Sequence, residues 1–192
     1  GNWWLGSVSG NGTLSANSIA PWGASGNEFR FGGGSNTITL NPVAAGSAQL
    51  AGVGNKLIVG VPHDLFGQGV LAIGANASNT FDGGTLVNRS RNMDGGYRAS
   101  ALSIQGGANG TTTTFRTPLG TGNVDLFGEA RIEGASGTAV TTGLGNANTW
   151  IVHPGSRLRF DNGTPFTGSG TTGNLATGTL GGNGRWSDTV GI

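Results

Sequence analysis

The sequence predicts an all-β chain coiled into a parallel β-helix, or β-solenoid. Three observations lead there. The first is a recurring unit of apolar–any–apolar residues followed closely by glycine. It reads Leu71-Ala72-Ile73-Gly74, Leu102-Ser103-Ile104 before Gly106, Val124-Asp125-Leu126 before Gly128, and Leu158-Arg159-Phe160 before Gly163. A short strand that buries every second side chain and stops at a residue free to take φ > 0 has this form. The second is the near absence of helix signals. No window holds an apolar period of 3.6, and glycine recurs too often for a helix interior. The third is spacing. Leu102 to Val124, Ile132 to Ile151 and Leu158 to Leu180 are separated by about 20 residues, the length of one three-sided coil.

The elements follow in order. Residues 1–35 concentrate Trp3, Trp4, Trp22, Phe29 and Phe31 and are expected to form an irregular, cap-like opening segment. Bulky groups there would cover the open end of a sheet stack. Residues 36–192 are expected to be solenoid coils, continuing past Ile192 or stacking on a neighbour. Strands are expected near 36–40, 56–61, 70–73, 84–87, 101–105, 112–116, 123–127, 130–133, 149–152, 157–160 and 178–180. Turns fall at Gly33-Gly34, Gly83-Gly84, Gly95-Gly96, Gly106-Gly107 and Gly181-Gly182. Leu71 to Leu102 is longer than the other steps and should carry an excursion at 88–98. Each coil buries its inner face only against the next, and asparagines in turns can form ladders along the axis.

Composition sets the bounds. Of 192 residues, 40 are Gly and 10% are charged, and the net charge is +1. The core must therefore be thin, built from small and β-branched side chains. Regularly placed Ile, Leu, Val and Phe, with five Trp, argue against disorder. The arginines are scattered and Lys56 is the sole lysine, so no basic stripe suits nucleic acid. No apolar run is long enough to span a membrane as a helix. The chain has no cysteine, which removes disulfides, thiolate metal sites and cysteine nucleophiles and fits export. It begins at Gly1 and ends in what reads as the start of another strand, as expected of a processed product or a piece of a longer polypeptide.

Residues 69–87 read Gly-Val-Leu-Ala-Ile-Gly-Ala-Asn-Ala-Ser-Asn-Thr-Phe-Asp-Gly-Gly-Thr-Leu-Val. Strand Leu71-x-Ile73, then Asn79-Thr80-Phe81, then Gly83-Gly84-Thr85 resembles the autotransporter-associated β-strand repeat of bacterial surface-protein passengers. Leu119-Gly120-Thr121-Gly122-Asn123-Val124-Asp125-Leu126 is similar to the step that follows in that family. The segments 157–164 and 185–189 resemble linking segments of such passengers, and Trp22 with Phe29-Arg30-Phe31-Gly32-Gly33 does so more loosely. The stretch between Asn88 and Ala101 departs from the family, which turns tightly there. The resemblance implies a right-handed β-helix displayed outside the cell, and not an enzyme.

The candidate chemistry is sparse. Asp82, Asp94, Asp125 and Asp161 are the acids that glycan hydrolysis would use, since it needs paired carboxylates. Asp82 and Asp161 stand at turn signals, and Asp125 alternates outward between Val124 and Leu126. His63 and His153 each adjoin a proline and read as surface loop residues. Gly181-Gly182-Asn183-Gly184-Arg185-Trp186 has Trp where a calcium-roll motif needs Asp. Gly32-Gly33-Gly34 precedes no helix and so is no phosphate cradle, and no serine has a nucleophile-elbow setting. Asn11, Asn76, Asn88, Asn109 and Asn162 open Asn-x-Ser/Thr triplets and read as turn residues. No catalytic, cofactor-binding or metal-ligating residue is expected.

The expected function is structural or adhesive: an extracellular solenoid of a bacterial surface acting as stalk, adhesin or matrix protein. A self-assembling filament or surface-layer subunit is the alternative, and a β-helical glycan-active enzyme the third. The candidate contact surface is the charged loop with Arg89, Arg91, Asp94, Tyr97 and Arg98, together with Trp3, Trp4 and Trp22. The expected partners are the chain itself or cell-surface glycans and proteins.

Overall fold

The computed structural model describes residues 3–23, 26–61, 69–89, 101–109, 112–114, 117–133, 139–140, 150–153, 156–161, 180–181 and 185–186. These residues form an all-β parallel solenoid and contain no helix. Accordingly, none of them lies in a helix long and apolar enough to cross a membrane.

Two seven-stranded sheets run the length of the stack. The first contains, in spatial order, β1 (Leu5–Ser7), β3 (Glu28–Gly34), β5 (Lys56–Val59), β7 (Thr85–Val87), β11 (Val124–Leu126), β14 (Trp150–Val152) and β16 (Leu180–Gly181). The second contains β2 (Gly12–Leu14), β4 (Thr37–Leu40), β6 (Val70–Ile73), β8 (Ala101–Gln105), β12 (Glu129–Glu133), β15 (Arg157–Asp161) and β17 (Arg185–Trp186). Every pairing within them is parallel. The chain lays one strand in the first sheet, crosses, lays one in the second, and returns one level up.

The pleat explains why the recurring unit works. In the first sheet the register places Phe29, Leu57, Thr85, Val124 and Trp150 in one row, and Phe31, Val59, Val87, Leu126 and Val152 in the next. In the second sheet Ile38, Leu71, Leu102, Ala130 and Leu158 align, as do Leu40, Ile73, Ile104 and Ile132. All of these are buried, and all but Thr85 are hydrophobic. Each fully buried aliphatic or Phe side chain stabilises the stack by about 1.5–3 kcal/mol. Between the first sheet's inner rows runs an outer row of Arg30, Ile58, Leu86, Asp125 and Ile151, which mixes two charged residues with three aliphatic ones.

Several expectations need correction. The spacing of about 20 residues measured unlike positions: Leu102 and Val124 lie in different sheets. True partners sit farther apart. Gly54 with Asp82, Gly60 with Asn88, and Asp125 with His153 are each 28 residues apart. The apolar unit occurs twice per coil, so its own recurrence understates the coil. Among the described residues of the first coils, the third side is not a sheet. It is a run of turns tied by the isolated bridges Ile19↔Leu50 and Ser47↔Ala77. The opening stretch, where no strand was expected, contributes β1, β2 and β3 to the two sheets. Residues 112–114, expected in a coil wall, form β10. This strand pairs antiparallel with β9 (Gly107–Asn109) and parallel with β13 (Ala139–Val140) in a separate three-stranded sheet. The Asn109-Gly110 step between them in sequence is a hairpin signal.

Side chains of the turns clamp one coil to the next. Among the described residues the amides do not pair with each other as a ladder; they bond chiefly to backbone. Asn36 Nδ2 donates to Val8 O, Asn76 Nδ2 to Pro42 O and Asn88 Nδ2 to Gly60 O. Asn11 Oδ1 accepts from Thr37 N and Asn17 Oδ1 from Ala44 N. Buried Gln49 donates through Nε2 to both Leu14 O and Ala16 O at 2.8 Å. Asn79 does this on both sides. Its Oδ1 accepts from Leu50 N at 2.8 Å, and its Nδ2 donates to Pro118 O at 2.7 Å.

Candidate functional site

The three tryptophans of the opening stretch go to different places. Trp3 is 76% exposed. Trp4 is half-buried, with the Arg30 guanidinium 5.7 Å above its ring, and Arg30 is itself held by Glu28 Oε2 at 2.5 and 2.8 Å. Trp22 packs edge-on against Phe29 and Phe31, at 6.1 and 5.1 Å between ring centroids, and so shields those core rings. Arg89 follows β7 at an exposed position. Arg91, Asp94, Tyr97, Arg98 and His63 lie outside the described residues, as does Asn162.

The structure gathers polar groups elsewhere, at the entry to the first sheet. A depression of about 380 Å³ is lined by Lys56, Asp82, Thr85, Asn123 and Asp125 with Gly83, Gly84 and Gly122. It crosses successive coils. Leu57 N bonds to Gly84 O, and Thr85 N bonds to Asn123 O, which places Lys56, Gly84 and Asn123 one above another. The glycines make this close stacking feasible. Gly84 holds φ +89°, and a Cβ on Gly122 would strike Gly84 N and Asp82 O.

Each acid has one fixed partner. Asp82 Oδ1 accepts from Gly54 N at 2.5 Å, a bond that ties its turn to the coil below. Asp125, half-exposed on the outer row, places Oδ1 3.3 Å from Nε2 of His153. The His153 ring stacks on Phe127, with centroids 3.7 Å apart and planes 7° from parallel. Ser156 Oγ and N both donate to His153 O, fixing the turn that carries the imidazole. Lys56 makes no ion pair among the described residues, so its ammonium is open to solvent or ligand. Beneath the groove, the Thr85 hydroxyl is buried without a hydrogen-bond partner.

Of the four acids singled out from sequence, the fold thus brings Asp82 and Asp125 to one groove. Asp161 ends β15 in the other sheet, and Asp94 lies outside the described residues. The arrangement offers carboxylate acceptors, an ammonium donor and an amide over a polar floor, with an aromatic pair alongside. Sequence reading missed Lys56 and Asn123 as neighbours of the two acids. Part of the signal was present: stepping by 28 residues superimposes Gly54-Asn55-Lys56 on Asp82-Gly83-Gly84, whereas Asn123 and Asp125 follow after a longer step.

No protein-family model matches the chain, and neither a curated protein nor a solved structure matches it.

Proposed function

We propose that this chain is a segment of an extracellular bacterial surface protein in which the solenoid serves as a stalk or adhesive scaffold. One observation carries the reading: inner rows uniform in character stand beside an outer row that is not. Phe31, Val59, Val87, Leu126 and Val152 maintain the stack, while the outer row mixes charged Arg30 and Asp125 with aliphatic Leu86 and Ile151 and the nearly buried Ile58. Such a wall is a rigid display surface whose outer residues can vary without cost to the core. The missing cysteine and the resemblance of 69–87 to passenger repeats support an extracellular place.

The test is adhesion under flow. Beads coated with the chain should be retained on glycan-bearing or protein-bearing surfaces more strongly than beads coated with an unrelated β protein. Equal retention on every surface would sink the adhesive reading.

A second reading is a filament subunit. It is favoured by β1 and β2, each paired on one side only among the described residues. Open strand edges are templates for another chain, and a non-closing interface makes fibres. Electron microscopy of the concentrated chain distinguishes the two: fibres favour the filament and dispersed particles the scaffold.

A further inference from the structure

The geometry points to the groove on the first sheet as a binding site for a neutral, elongated saccharide. This deepens the adhesive reading and rests on it.

The lining decides the ligand class. It is mostly polar, so an apolar ligand would gain little there, and the ligand must exchange water hydrogen bonds for protein ones. Asp82 and Asp125 accept from hydroxyls, Lys56 donates, and the Asn123 side chain offers both functions. Two carboxylates against one ammonium disfavour phosphates, uronates and nucleic acid. Each acid already spends one oxygen, on Gly54 N or His153 Nε2, which orients the other and weakens the site for a bare cation.

The aromatic pair supplies what a sugar ring needs besides hydroxyl partners. Phe127 is 40% exposed and lies against the imidazole that contacts Asp125. Phe127 stands beyond the groove's lining with one ring face taken by the imidazole, so the aromatic pair borders the strip at the Asp125 end, where a sugar's C–H face would meet it. The parts come from consecutive levels: Lys56 from β5, Asp82 from the turn before β7, Asp125 from β11, His153 after β14. Strands stack about 4.8 Å apart, so the strip extends roughly 14 Å along the axis, the shape of a chain and not of a single ring.

The test is amide shift mapping by NMR on the isotope-labelled full chain. The probes are cellohexaose, xylohexaose, chitohexaose and maltohexaose, with a lysine oligopeptide and an oligogalacturonate as charged controls. At least one neutral hexasaccharide is expected to shift the amides of Asp82–Thr85, Asn123–Asp125 and His153. Lys56→Met with Asp125→Ala should weaken that binding by about tenfold or more while the unfolding midpoint holds. If that double variant does not fold, Phe127→Ala, at a half-exposed site, takes its place with the same expectation. Silence with all four neutral probes, shifts confined to other faces, or a response to the charged controls alone would overturn the proposal. The same variant on beads separates the two claims. Wild-type and variant beads adhering equally removes the groove and leaves the adhesive reading. Saccharide binding without bead adhesion does the reverse.

Discussion

Asn79 is 1% exposed and holds three coils together through one amide, by Leu50 N below and Pro118 O above. Replacing it with alanine strands a buried donor and a buried acceptor. Asn79→Ala is therefore expected to cost about 2–5 kcal/mol, read as a lower urea midpoint. Thr85 is the opposite case. It occupies an inner row between Leu57 and Val124, and its hydroxyl has no partner. Thr85→Val keeps the shape and removes the desolvated group, so stability should rise by about 1 kcal/mol in the same assay. Neither role was legible in sequence. Asn79 reads as a turn residue because its carbonyl partner at Pro118 is 39 residues away. Thr85 reads as a good strand residue, which it is. What sets the energies is the neighbouring coil, which local pattern does not contain.

At the scale of elements, alternation was the reliable signal. The strands at 37–40, 70–73, 101–105 and 124–126 lie where Ile, Leu and Val alternate with polar or small residues. The strand over Glu28–Gly34 escaped notice although Glu-Phe-Arg-Phe alternates, because three glycines follow and the aromatic cluster suggested a cap. Trp22 does shield Phe29 and Phe31. Trp22→Ala should accordingly lower stability by about 2 kcal/mol, less than for a fully buried Trp, and speed hydrogen exchange in β3 before β11. The turn beside the groove is tighter. A methyl group on Gly122 meets backbone of Gly84 and Asp82. Gly122→Ala is expected to push the two turns apart and cost about 1–3 kcal/mol, visible as a thermal shift.

For the molecule as a whole, the class of fold was legible and its period was not. Two similar strands per coil gave spacings that mixed one sheet with the other, and the true steps between register partners vary from 26 to 39 residues. The groove was hidden for a further reason: Lys56 and Gly84 are one 28-residue step apart, but β9 and β10 lie in the chain between β7 and β11, so Asp125 stands 39 residues beyond its register partner Leu86. The central claim is the in-register parallel stack, and cysteine cross-linking tests it most directly, since the chain has no cysteine to interfere. Leu86 and Asp125 are register partners on the outer row, and Ile58 lies one further strand below. Adjacent strands lie about 4.8 Å apart and alternate strands roughly 9–10 Å. A disulfide needs Cα atoms within about 7 Å. Under mild oxidation, Leu86→Cys with Asp125→Cys should cross-link within the chain, and Ile58→Cys with Asp125→Cys should not. Cross-linking of the second pair in place of the first would contradict the register and, with it, the solenoid described.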